Sequence, residues 1–204
     1  MSDKWPNIPD GKTISHAVEA IKSRGIEVFL ADSKKEALEK LISLIPKGAE
    51  IMNGTSTTLQ EIGFVGFLKS GKHGWKNLQE EILKESDWPK QAELRRQATI
   101  AEYFLGSVNA ISKNGELVAC DASGSRVGAY LFSAKNLILV AGVNKITPSL
   151  ETAMQRVREQ AFPLENERAM KAYGMGSSTA KWAIIEKDRP GRTKLILVKE
   201  KLGF

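Results

Sequence analysis

A chain of 204 residues that is 42% hydrophobic and 26% charged has the composition of a globular protein and is long enough to bury a core without disulfide or metal staples. Its single cysteine, Cys120, excludes an intrachain disulfide and a cysteine-built metal or iron–sulfur site made from this chain alone. The net charge of +6 is diffuse, with 15 Lys and Arg in residues 1–100 and 15 in 101–204 among interleaved acids, so nucleic acid is not an expected partner and a small anion is.

Residues 1–11 read as a loose segment ahead of one domain that runs to residue 204. "MSDKWPNIPDG" lacks the basic and apolar regions of a secretion signal, and no run approaches the 18 apolar residues of a membrane span. A cytoplasmic protein without membrane association is expected. Ile14, Ala17, Val18 and Ile21 follow as the core stripe of a helix, with Gly25 where a left-handed cap would sit. "IEVFLA" is a strand. Ser33 and Glu36 form a capping box before Leu38, Leu41, Ile42 and Ile45, and Pro46 and Gly48 end that helix ahead of the strand "AEIMN".

The stretch "NGTSTTLQEIG" begins at Asn53, directly after that strand. Thr58 and Glu61 have the spacing of a second capping box, and Leu59, Ile62 and Gly66 continue a helical face to about Lys69. Two more helices are expected between 70 and 101, one around Trp75, Leu78 and Ile82 and one after Pro89. "YFLGSVNAIS", the turn "KNG" and "ELVACDA" then read as a hairpin. A short helix begins near Gly124, and "NLILVAGVNK" is a strand apolar enough to be buried on both faces. Thr147 and Pro148 suit the start of a helix with the stripe Leu150, Ala153, Met154 and Val157, in which at least one of Arg156 and Arg158 faces solvent. "KWAIIEK" and "TKLILVKE" close the chain as a strand pair about the turn "DRPG".

Strands alternating with helices imply an α/β fold: a three-layer α/β/α domain with a mostly parallel sheet plus hairpin strands. Ligands of such sheets collect beyond the carboxyl ends of the strands. Three loops lie there, and together they supply the candidate ligand-binding residues: Asn53, Gly54, Thr55, Ser56 and Thr57; Ser123, Gly124, Ser125 and Arg126; Gly142, Asn144 and Lys145. Hydroxyls, backbone N–H groups and the charges of Arg126 and Lys145 suit a carboxylate or phosphate. Glu61 and Asp121 are the acids of these loops and the candidates for a base or nucleophile. His16 and His73 have no nucleophile motif beside them, no metal-ligand spacing occurs, and no cofactor is expected.

With these stretches in view, the chain resembles the LUD-domain family, in particular its lactate-utilisation protein C type. "NGTSTTLQEIG", "AEYFLGSVNAISKNGELVACDASGSRVGA", "LILVAGVNKITPSLETAMQRVRE" and "KLILVKEKLGF" carry the resemblance. It implies a fold similar to ribose-phosphate isomerases and CoA transferases. It also implies an accessory or ligand-binding role in oxidation of L-lactate or a related 2-hydroxy acid, with the cluster on a separate iron–sulfur protein partner; a homo-oligomer is compatible. Many relatives carry a cysteine-rich stretch near the last strand, whereas "AYGMGSSTAKWAIIEKDRPGR" has none. "NGTSTT" is also similar to the sugar-phosphate turn of the isomerases, so the alternative is a standalone sugar-phosphate isomerase or CoA-transferase-like enzyme. The acidic "DGADE"-type segment of those isomerases has no counterpart here.

Overall fold

Asp10 starts the first helix, α1 (Gly11–Ser23), by accepting from Thr13 N at 2.7 Å, and the four buried residues of α1 are the stripe Ile14, Ala17, Val18 and Ile21. The protein is described by a computed structural model covering Trp5 and residues 8–204, so the loose segment expected over 1–11 lies mostly outside the described residues. After β1 (Glu27–Ala31), Ser33 caps α2 (Lys34–Ser43), while Glu36 reaches back to Asp32 N at 2.7 Å. β2 (Glu50–Asn53) leads to α3 (Thr57–Glu61) and α4 (Phe64–Lys69). The single helix expected there is broken by Gly63 at φ +85°. β3 (Lys76–Asn77), α5 (Leu78–Lys84) and α6 (Trp88–Gln97) complete the middle third.

The second half runs β4 (Tyr103–Gly106), β5 (Ala110–Ser112), β6 (Leu117–Asp121) and α7 (Ser125–Gly128), which passes into one π turn over 129–133. β7 (Asn136–Gly142), β8 (Ile146–Thr147), α8 (Leu150–Arg156), α9 (Phe162–Tyr173), β9 (Lys181–Ile185) and β10 (Thr193–Val198) follow.

Six strands form a parallel sheet in the order β1-β10-β7-β4-β2-β3. Because side chains alternate along a strand, Phe104 and Leu105 of β4 go to opposite faces. Leu105, with Ile51, Ile138, Val140 and Ile196, packs against Leu41 of α2, Leu59 of α3 and Phe64 of α4. Phe104, with Leu137, Leu139 and Leu195, packs against Ile14, Val18 and Ile21 of α1. This is the expected three-layer α/β/α arrangement.

A second sheet, in the order β8-β5-β6-β9, covers the α1 side; Ile111, Leu117, Ala119 and Ala183 join that same core, while its outer face packs against Ala153 of α8 and Val157 of the π turn that follows it. The β5–β6 hairpin forms as expected, with Ile111 opposite Leu117. Two other expectations are corrected. The run 103–112 is two strands in two sheets, parted at Ser107–Asn109, and β9 and β10 form no pair, since β9 joins β6 in the small sheet while β10 runs parallel between β1 and β7 in the large one. The neighbours β4 and β7 both cross into the small sheet, where they continue as the parallel neighbours β5 and β8.

The break after β4 has a visible cause. The Tyr130 hydroxyl accepts from Ser107 N and donates to Ser107 O, both at 3.0 Å, and takes that residue out of the strand ladder. It can approach because Gly106 has no side chain, since a Cβ there would stand 1.8 Å from the hydroxyl oxygen. Tyr130→Phe leaves two buried backbone groups unpartnered, and a loss of about 1–3 kcal/mol is expected in thermal or urea unfolding.

Candidate functional site

The carboxyl ends of β2, β4 and β7 lie side by side, and the residues that follow them turn inward. Lys145 ends the short 3-10 turn after β7 and is buried; its Nζ lies 3.1 Å from Thr58 Oγ1, 3.1 Å from Ser107 Oγ and 3.0 Å from Val108 O. The two hydroxyls are 3.2 Å apart. Among the described residues no carboxylate hydrogen-bonds to this amine. Burial, then the charges of Arg156 and Arg126, push it well below the ordinary lysine range, and Glu61 opposes them weakly.

Thr58 is thus no helix cap. Ser56 caps α3, accepting from Leu59 N at 3.3 Å, and Thr58 is released into the buried cluster. Glu61 makes no capping box either, because its Oε2 accepts from Gly203 N at 2.8 Å. At five residues α3 is too short for its dipole to do much, so hydroxyls and side-chain charge are what this end offers an anion.

Arg126 crosses to the first loop. Its side chain lies over Gly54, where a Cβ would stand 3.3 Å from Arg126 Cδ, and its Nη2 donates to Cys120 O at 2.6 Å. Asp121 stays at its own loop: one carboxylate oxygen accepts from Gly124 N and the other from Val127 N at 3.2 Å, so it starts α7. Gly124 takes the left-handed position beside it, and Ser123 and Ser125, hydrogen-bonded to each other at 3.0 Å, are exposed. In the first loop Thr55 is exposed, Ser56 and Thr57 are half-buried, and Asn53 is buried with an Oδ1 that has no hydrogen-bond partner among the described residues.

The third loop is occupied by the chain itself. Asn144 Oδ1 accepts from Leu202 N at 3.0 Å, and the backbone of Glu200 and Leu202 fills the space beside Gly142. Gly203, at φ +61°, rests on Thr58 and Lys145, where a Cβ would stand 2.3 Å from Thr58 Oγ1 and 3.1 Å from Nζ. Arg156 holds Phe204 O at 3.1 Å and Asn109 O at 2.6 Å. It is almost fully buried, against the plain expectation for a helix arginine, whereas Arg158 faces solvent.

Of the sequence candidates, Arg126 and Lys145 therefore flank the loop 53–58 from two sides, while Asn144, Gly142 and Asp121 serve the backbone. Ser107, Thr58 and Arg156 were missed as site residues. A serine inside an apolar run, directly after a glycine, is the one local signal that could have marked Ser107.

Among the described residues no helix is long and apolar enough to cross a membrane, and no group of His, Cys, Asp and Glu could hold a metal. A family model described as the LUD domain matches residues 14–198. Among solved structures the chain is similar to a DUF162 family protein from Deinococcus radiodurans, at 11% identity and a TM-score of 0.56, over 94% of this chain and 99% of that one. That likeness concerns the fold. No curated protein matches the chain.

Proposed function

The chain belongs to the LUD-domain family, and from that premise we propose that it is an accessory or ligand-binding component in oxidation of L-lactate or a related 2-hydroxy acid. The acid is held at the strand-end loops, and the iron–sulfur cluster that takes the electrons sits on a partner protein. The observations that carry this reading are the buried Asn53 amide and the Arg126 side chain, which lies over the adjacent Gly54. Among the described residues Asn53 Oδ1 is buried without a donor, and Arg126 donates from Nη2 to Cys120 O while its Nε lies 3.9 Å from Asp121 Oδ2. A 2-hydroxy acid offers Asn53 a hydroxyl proton and offers Arg126 a carboxylate that can approach more closely than the 3.9 Å ion pair with Asp121. Thr55, Ser56 and Thr57 add hydroxyls at the rim.

Calorimetric titration tests this. Wild type is expected to bind L-lactate more tightly than pyruvate, which has no hydroxyl to give Asn53. Arg126→Ala weakens both by about 10- to 100-fold, the worth of a charge-assisted hydrogen bond. Asn53→Ala narrows the gap between the two acids. No binding by wild type, or unchanged binding in both variants, sinks the reading. The alternative, a standalone isomerase or CoA-transferase-like enzyme, needs a free acid, and Glu61 and Asp121 are both engaged with backbone N–H groups.

A further inference from the structure

We propose that Ser107 and Lys145 are a nucleophile and base for acyl transfer, in which Ser107 takes the acyl group of a small activated ester or thioester and Lys145 carries the proton. The geometry around Nζ supports it. A neutral amine has two N–H groups and one lone pair, and three polar neighbours stand at 3.0–3.1 Å. Val108 O can only accept, so it takes one N–H; one hydroxyl accepts the other, and the remaining hydroxyl donates to the lone pair. With Thr58 as the accepting hydroxyl, Ser107 points its proton at the base, as an activated serine must. Ser107 is also held on its backbone by Tyr130, and its Oγ is placed by Lys145 Nζ at 3.1 Å and by Thr58 Oγ1 and Val108 O, each at 3.2 Å.

A buried lysine hydrogen-bonded to two hydroxyls and a carbonyl, with no carboxylate on it among the described residues, is costly as a structural element, and burial together with Arg156 and Arg126 favours its neutral form. The two guanidinium charges also favour the oxyanion that develops when a carbonyl is attacked.

The step balances without a further reagent. Ser107 Oγ bonds to the acyl carbon as its proton passes to Lys145 Nζ. The bond from that carbon to the leaving oxygen or sulfur then breaks, and the leaving group takes the proton from Lys145. Water, deprotonated by the same amine, releases the carboxylic acid and restores the serine. Entry needs Gly203 and Phe204 to lift from the cluster, which breaks the hydrogen bond that Gly203 N donates to Glu61 Oε2 and the one that Phe204 O accepts from Arg156 Nη1.

The test incubates the full chain with p-nitrophenyl acetate and maps acetyl groups by peptide mass spectrometry. Wild type is expected to carry acetyl on Ser107, and Gly203→Ala to acquire it faster because its Cβ cannot share space with Thr58 Oγ1. Lys145→Met slows that acylation by about 100-fold or more, the usual worth of a positioned base. Ser107→Cys retains acylation as a thioester, which guards against loss through misfolding. No acetyl on Ser107 in either wild type or Gly203→Ala overturns the proposal, as does an unchanged rate in Lys145→Met. The outcome is separable from the anion reading, since lactate binding depends on Arg126 and Asn53 and survives in Ser107→Ala.

Discussion

Lys145→Met is expected to make the protein more stable and to remove part of its dependence on pH. Methionine fills a similar volume, and the groups left behind can satisfy one another, since Ser107 Oγ is 3.2 Å from both Thr58 Oγ1 and Val108 O. Apolar replacement of a buried charged group in such a setting is worth about 1–3 kcal/mol. The sign of the pH effect follows from the lowered lysine. Between its folded value and the ordinary lysine value near 10.5 the unfolded chain binds a proton that the folded chain does not, so wild-type stability rises with pH across that window. Below the window the ammonium must be buried and the full penalty applies. The variant escapes it, and its advantage narrows as pH approaches 10.5. Urea unfolding of both proteins from pH 6 to 10 checks this, and a destabilised variant, or an advantage that is flat with pH, contradicts it. A residue whose removal strengthens the fold is one retained for another reason, which is what the acyl-transfer role requires.

Arg156→Ala should be the most damaging single change in the neighbourhood of the site. The side chain is 1% exposed and heads the largest fully buried side chains of the protein. Its Nη1 joins Asn109 O to Phe204 O, tying the crossover after β4 to the last residues, while its Nε has no hydrogen-bond partner among the described residues. Alanine leaves a cavity and two carbonyls without donors, at a cost of about 3–5 kcal/mol. Arg156→Met fills most of the volume and returns part of that loss. The urea midpoint should fall with little change in slope, and a loss below about 1 kcal/mol would show that water or rearrangement replaces the arginine. Burial alone lowers Arg156, to about 10, so the group stays charged through the neutral range and its charge continues to act on Lys145.

Periodicity made much of the fold legible. The stripe of α1, the capping serine of α2, the buried strand β7 and the β5–β6 hairpin all follow from local pattern, because there local preference and tertiary packing agree. The failures share one cause: distant residues decide between local options of equal quality. "STT" offers three hydroxyls for one cap, and Lys145, 87 residues from Thr58, draws that threonine away and leaves the task to Ser56. The run 103–112 is apolar throughout, and it breaks where Tyr130 captures Ser107 from 23 residues away. "DRPG" does reverse the chain, yet nothing local reveals that β10 will be inserted between β1 and β7. At the site, Arg126 and Lys145 were readable as charges at strand ends. Ser107 and Arg156 were not, since each is drawn in by partners that only the folded chain supplies.

The paired crossing of β4 and β7 into the small sheet sets what the site tolerates. Two strands leave side by side and arrive side by side, like a two-ply ribbon folded once, with Ser107 on one ply and Lys145 on the other. Such a ribbon flexes across its width without sliding one ply along the other. Tilting of the small sheet therefore leaves the serine and the lysine in contact, whereas slippage of a single strand by one residue parts them by about 3.3 Å. Breathing of the molecule is harmless to the pair, and a misregistered chain, however well packed elsewhere, is silent.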